Sequence, residues 1–142
     1  MRKTLPGLTL ATLLLCLASP MAQEADQDDL QTLQGEWTVA AAEQGGRPFD
    51  VIVGGVLAIT GDRFALVTAT GNELAGQIRL DAAQSPRQLD FVHDDGLLWE
   101  AIYVAAPDFF RLNYVEASPE TPRPTMFVTG SDAPGTVIVL ER

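Results

Sequence analysis

The chain has 142 residues, the length of one ordinary domain, and its 46% hydrophobic and 20% charged residues fit a globular protein rather than a disordered or collagen-like one. With 9 Lys and Arg against 19 Asp and Glu, the formal charge is −10. That balance excludes a broad basic surface for nucleic acid or anionic lipid, because phosphate contacts need clustered cations. A single cysteine, Cys16, precludes an internal disulfide, and a single histidine, His93, precludes a multi-histidine metal site within one chain.

Residues 1–22 read as a secretory signal peptide. Arg2 and Lys3 form its positive start, and Leu8 to Ala18 is an uncharged leucine-rich run. The run is shorter than the roughly 20 apolar residues that a membrane span requires, so no stable membrane insertion is expected once it is removed. Small residues at Ala18, Ser19 and Ala22 favour cleavage after Ala22, with cleavage after Ala18 as the alternative. Leu15, immediately before Cys16, occupies the place where lipid attachment needs a small residue, which argues against a lipoprotein. Cleavage after Ala22 leaves 7 basic and 19 acidic residues, a formal −12, and no cysteine. The exported chain must then be held by its hydrophobic core.

Residues 23–29 are acidic and read as a flexible leader, with Asp28 or Asp29 capping a short helical turn that carries Leu30 and Leu33 on one face. From residue 30 to 142 the chain reads as one β domain. Trp37, Val39 and Ala41 alternate with Thr38, Ala40 and Ala42 up to a turn at Gln44-Gly45-Gly46. Val56 to Thr60 and Arg63 to Thr68 flank Gly61-Asp62, a two-residue hairpin connection. Glu73 to Leu80 follows, with Gly76 in mid-strand where a bend or bulge is expected. Arg87 to His93, Leu97 to Ala105, Phe109 to Val115, Thr125 to Thr129 and Thr136 to Glu141 complete nine strand candidates. Sequential hairpins without a long helical period predict an all-β, up-and-down antiparallel barrel of about eight to nine strands, since closure removes exposed edges. Whether such a barrel is hollow or filled stays open at this point.

Leu33-Gln34-Gly35-Glu36-Trp37 resembles the opening of a lipocalin-like domain family of unknown function that is abundant in planctomycete bacteria. The resemblance continues through Gly61-Asp62-Arg63-Phe64, Ser85 to Asp90, Ile102-Tyr103, Arg123-Pro124-Thr125 and Gly135 to Arg142. The turns at Gly45-Gly46-Arg47 and Asp94-Asp95-Gly96 are more compact than in that family. The resemblance implies a small extracytoplasmic barrel and supplies no catalytic residues. The wider lipocalin-like pattern, a Gly-X-Trp on the first strand and an arginine on the last, implies that Arg142 stacks on Trp37 beside Gly35 to close the barrel. Arg123 is the competing partner, and a Trp37 that merely fills the core is the plain alternative.

His93-Asp94-Asp95 is the one local cluster of imidazole and carboxylates, but Asp-Asp-Gly is ordinary turn chemistry and one histidine contributes little to a metal shell. No nucleophile elbow, dinucleotide fingerprint, phosphate loop or paired-cysteine motif occurs, so neither an enzyme nor a cofactor or metal is expected. Asp90, Tyr103 and Arg111 sit within apolar strands. Facing inward, Arg111 binds an anionic head group with Tyr103 donating to it and Tyr114 lining the inner wall; facing outward, they are solvated surface. Arg123, in the proline-rich loop Ser118 to Pro124, is a candidate to gate one mouth. Two functions follow: a barrel binding a small apolar or amphipathic molecule, or a filled barrel acting through its surface on an exported protein partner or as its inhibitor.

Overall fold

The structure, a computed structural model, describes residues 20–142. Residues 1–19, which hold Cys16 and most of the expected signal peptide, lie outside the described residues. Helix α1 (Pro20–Leu33) precedes β1 (Gly35–Gln44), a two-residue strand β2 (Arg47–Pro48) and a 3-10 turn (Asp50–Ile52). The remaining strands are β3 (Val56–Thr60), β4 (Arg63–Val67), β5 (Glu73–Asp81), β6 (Arg87–His93), β7 (Leu98–Ala106), β8 (Phe109–Glu116) and β9 (Thr136–Glu141).

Each long strand pairs antiparallel with the next, and β9 pairs with both β8 and β1. The protein is therefore a closed, up-and-down eight-stranded antiparallel β-barrel, with β2 as a short appendage to β1. Period-two alternation sends Trp37, Leu57, Ile59, Phe64, Ile78, Leu89, Phe91, Ala101, Tyr103, Phe110, Leu112, Ile138 and Leu140 into one buried cluster inside. The interior is packed. It retains a cavity of only about 30 Å³ between Phe64, Leu66, Phe91, Trp99, Tyr114 and their neighbours, space for roughly one or two waters rather than a ligand.

Several expectations are corrected. The leader at 23–29 belongs to α1, a helix of 14 residues rather than a short capped turn. Asp29 does not cap it; its carboxylate takes Arg87 and the Tyr103 hydroxyl instead. In β1 the register shifts between Val39 and Ala41, so Ala42 turns inward in place of Ala41. That irregularity lets the strand bend round the closure. Gly76 carries no bulge: a Cβ there would run into the Val92 carbonyl of β6, so glycine permits a close crossing of two strands.

The Thr125 to Thr129 candidate is not a strand. Its backbone is held from the side, with Asn113 Nδ2 donating to the Met126 carbonyl at 2.8 Å and Arg111 Nη2 to that of Phe127 at 2.8 Å. This segment lies along the outer wall, where Ile102, Asn113, Val115 and Val137 are buried although they face away from the barrel interior.

Candidate functional site

The two ends of the barrel are built differently. At one end, α1 lies across the opening and buries Leu33 completely. Trp37 Nε1 donates to the Leu33 carbonyl at 2.9 Å, while Gln34 clasps the β3–β4 turn through both the N–H and carbonyl of Gly61. Arg142 Cζ lies 4.1 Å from the Trp37 ring centroid. Its guanidinium donates to the carbonyls of Thr32, Gln34 and Pro107. Two of those carbonyls terminate α1, where a cation complements the helix dipole. Gly35 has φ +106°, and a Cβ there would sit 3.3 Å from Arg142 Nη1, so glycine leaves the guanidinium its place.

Tyr103 belongs to the same plugged end. It is 1% exposed and packs against Phe110, and its hydroxyl donates to Asp29 Oδ2 at 2.6 Å. Burial, then the Asp29 hydrogen bond, pushes the phenol well above its ordinary range, so it is a fixed donor rather than a titrating group. Asp29 is paired in turn with Arg87 at 2.8 Å. Tyr103 is thus committed to docking the helix and is closed to a ligand.

Arg111 and Arg123 do not point into the barrel. Arg111 stands on the outer face of β8, over the Phe127 ring at 4.9 Å. Arg123 lies against the outer wall, pairing with Asp90 at 2.7 Å and Glu100 at 3.7 Å and donating to the Ala101 carbonyl at 2.8 Å. Asp90 and Glu100 are directly opposed on β6 and β7, a like-charge juxtaposition that is unfavourable without a cation between them. Arg123 is that cation rather than a gate. Arg111, Asp90 and Tyr103 do not converge: two face outward and one inward.

The opposite end is open. A recess of about 630 Å³ is framed by the end of β1, Trp99 of β7, Tyr114 to Glu116 of β8, and the return of the long loop through Gly130 to Thr136. Its size falls within the roughly 300–1,000 Å³ of small-molecule sites. Trp99 and Tyr114 stack with centroids 4.5 Å apart and an interplanar angle of 26°. Both are half-buried, and both also line the interior cavity, so the pair separates recess from core. Gln44 Nε2 donates to Thr136 Oγ1 at 3.0 Å. Burial raises the Tyr114 hydroxyl above its ordinary range, opposed by its hydrogen bond with Thr136.

Beneath that pair the aromatic packing continues. The His93 ring lies 4.3 Å from Trp99 and 5.2 Å from Phe64, edge to face. His93 is 3% exposed, and neither ring nitrogen has a hydrogen-bond partner among the described residues. Burial lowers its pKa, with the Asp95, Asp94 and Glu116 carboxylates pulling the other way. The cluster read from sequence is dispersed: His93 points inward, Asp94 pairs with Arg63 outside at 2.8 Å, and Asp95 accepts the backbone N–H of Leu97. Among the described residues no group of three His, Cys, Asp or Glu side chains could hold a metal ion, and no helix is long and apolar enough to cross a membrane.

Of the four residues proposed for ligand contact, only Tyr114 reaches the recess. Trp99, Gln44 and Thr136 were missed. Leu97 to Ala105 is apolar at every position but Glu100, so its alternation says little about which side Trp99 faces, and Gln44 reads as part of a turn.

No family model matches the chain, and no curated protein matches it. A solved structure to which it is similar is described as "De novo design of a fluorescence-activating beta barrel". The two share 15% sequence identity at a TM-score of 0.47, over 81% of this chain and 97% of that one.

Proposed function

We propose that this chain is an exported barrel, related to the lipocalin-like domains its motifs resemble, that binds a small apolar or amphipathic molecule in the open-end recess. The carrying observation is the stacked Trp99–Tyr114 pair, which keeps a half-buried aromatic surface at the bottom of a ligand-sized concavity. Aromatic surface with a few fixed polar groups is the usual composition of a small-molecule site; here Gln44 and Thr136 supply the polar groups. The occupant rests on the mouth of the barrel, since the packed interior admits none. Export is supported by the sequence of residues 1–22. Cleavage after Ala22 would shorten α1 yet retain Asp26, Asp29, Leu30 and Leu33, the side chains that dock it.

A second reading, a filled barrel acting through its surface, is favoured by a separate observation. Ala40, Ala41, Val53, Phe109 and Val139 line an outer groove of about 510 Å³ near the β1–β9 closure. Native mass spectrometry of the protein purified from its own host separates the two. A retained small-molecule mass that disappears in Trp99→Ala supports the recess. Absence of any such mass together with a stoichiometric protein partner overturns it. N-terminal sequencing that begins at Gln23 supports export with cleavage after Ala22; an uncleaved Met1 overturns it.

A further inference from the structure

Resting on the recess as the binding site, we infer that its ligand is an organic cation: an ammonium or comparable positive group carried on an apolar or aromatic body. The lining contains no lysine or arginine. Arg111, which sequence reading offered to an anionic head group, is spent on Phe127, and Arg123, offered as a gate, on Asp90 and Glu100. What the recess does contain is the carboxylate of Glu116, one residue past Val115 on the strand that carries Tyr114. Glu116 is exposed and enters no ion pair among the described residues. It stands directly opposite Trp99 in the β7–β8 register, and the Trp99 ring in turn packs 4.3 Å from that of His93.

Other carboxylates lie further out. Glu43, next to Gln44 on β1, faces the outer groove and accepts from the Thr129 hydroxyl, and Asp132, in the loop return, lines a neighbouring outer pocket rather than the recess. Asp95 closes the β6–β7 turn. Arg47, the first residue of β2 and paired with Gln44, is a cation that opposes them. A carboxylate in a concavity whose lining holds no cation raises the local concentration of cations and repels anions. A carboxylate beside aromatic rings suits a cation whose charge is spread over methyl or ring carbons, because its body packs on Trp99 and Tyr114 while its charge stays near Glu116. An anionic amphiphile would place its head group against Glu116 with no donor of opposite charge.

The test uses three probes of nearly equal size on the full exported chain: benzyltrimethylammonium, its neutral carbon isostere neopentylbenzene, and benzenesulfonate. The indole N–H resonances of the two tryptophans report where each probe binds, since Trp99 faces the recess and Trp37 lies at the plugged end. The cation is expected to shift the Trp99 signal, to leave Trp37 unmoved, and to bind at least about tenfold more tightly than the isostere, with affinity falling as salt is added. Glu116→Gln is expected to remove most of that preference while leaving the isostere unchanged. Equal binding of cation and isostere at Trp99, or tighter binding of the sulfonate, overturns the cation assignment and leaves the recess standing as a binding site. No shift of Trp99 by any probe up to about 10 mM overturns the recess reading itself.

Discussion

Two tryptophans mark the two ends of this barrel, and they are used in opposite ways. Trp37 is 0% exposed, with its indole N–H satisfied by the Leu33 carbonyl and the Arg142 guanidinium laid over its ring. Around it Gln34, Tyr103 and Arg142 each hold α1 or the turns beneath it through hydrogen bonds or a charge-assisted contact. Trp99 is half-buried, stacked on Tyr114 and open to a recess. Below it His93 is buried, with both nitrogens unpartnered among the described residues. The plugged end has the complete hydrogen bonding expected of a structural closure, and the open end leaves aromatic surface and polar capacity unused. Binding sites are commonly drawn from such incompletely satisfied regions, because a site optimised for the empty protein has little to gain from an occupant.

The largest expected effect is at the plugged end. Trp37→Ala removes a wholly buried indole and is expected to cost about 3–5 kcal/mol, through lost burial and the cavity left behind. Trp99→Ala, at a half-exposed site, is expected to cost no more than about half of that. Denaturant midpoints at a common slope provide the measurement. Equal losses at the two positions would erase the distinction between closure and recess.

Next in size is Arg123→Ala, which leaves Asp90 and Glu100 facing one another on the outer wall. A loss of about 1–2 kcal/mol is expected, and adding Glu100→Gln should recover part of it. Failure of that second change to recover stability would assign Arg123 to the loop's packing alone. Deleting Arg142 is expected to cost about 1–2 kcal/mol, from the indole contact and the helix-end carbonyls. In combination with Trp37→Ala the loss should be smaller than the sum, because the two residues share one contact. Strict additivity would show that Arg142 acts on the carbonyls without the indole.

The smallest effect belongs to the open end. The His93 pKa is lowered by burial in the folded chain, so the unfolded chain takes up this proton first. Stability contributed by the neutral imidazole is present above the unfolded pKa of about 6.5 and is lost as pH falls from there through the lowered folded value. His93→Leu should flatten the stability profile across that window, and unfolding midpoints followed by circular dichroism would reveal a profile that stays unchanged. Replacing a group with two unpartnered nitrogens by an apolar one should not weaken the protein at neutral pH.

The barrel was legible because it rests on local rules. Period-two alternation, the Gly61-Asp62 hairpin and the absence of a long helical period identify the strands and their sequential pairing, as in Leu57 opposite Leu66 and Ile59 opposite Phe64. The 23–29 segment was misread because α1 is weakly amphipathic and acidic: its order comes from Leu30 and Leu33 packing on the core and from Asp29 reaching Tyr103 and Arg87. Thr125 to Thr129 was misread for the converse reason. Its composition suits a strand, but Arg111 and Asn113 take the carbonyls that a neighbouring strand would have used.

The sequence by itself determined the composition of the walls, since a side chain's face follows from its own neighbours one and two residues away. Only the tertiary structure decided that the barrel is filled, that Arg123 lies between two opposed carboxylates outside it, and that Trp99 and Tyr114 meet at its mouth. Each of these depends on residues from strands far apart in the chain. Barrel stagger, the β1 register shift and the path of the long loop set their separation, and no local spacing encodes it.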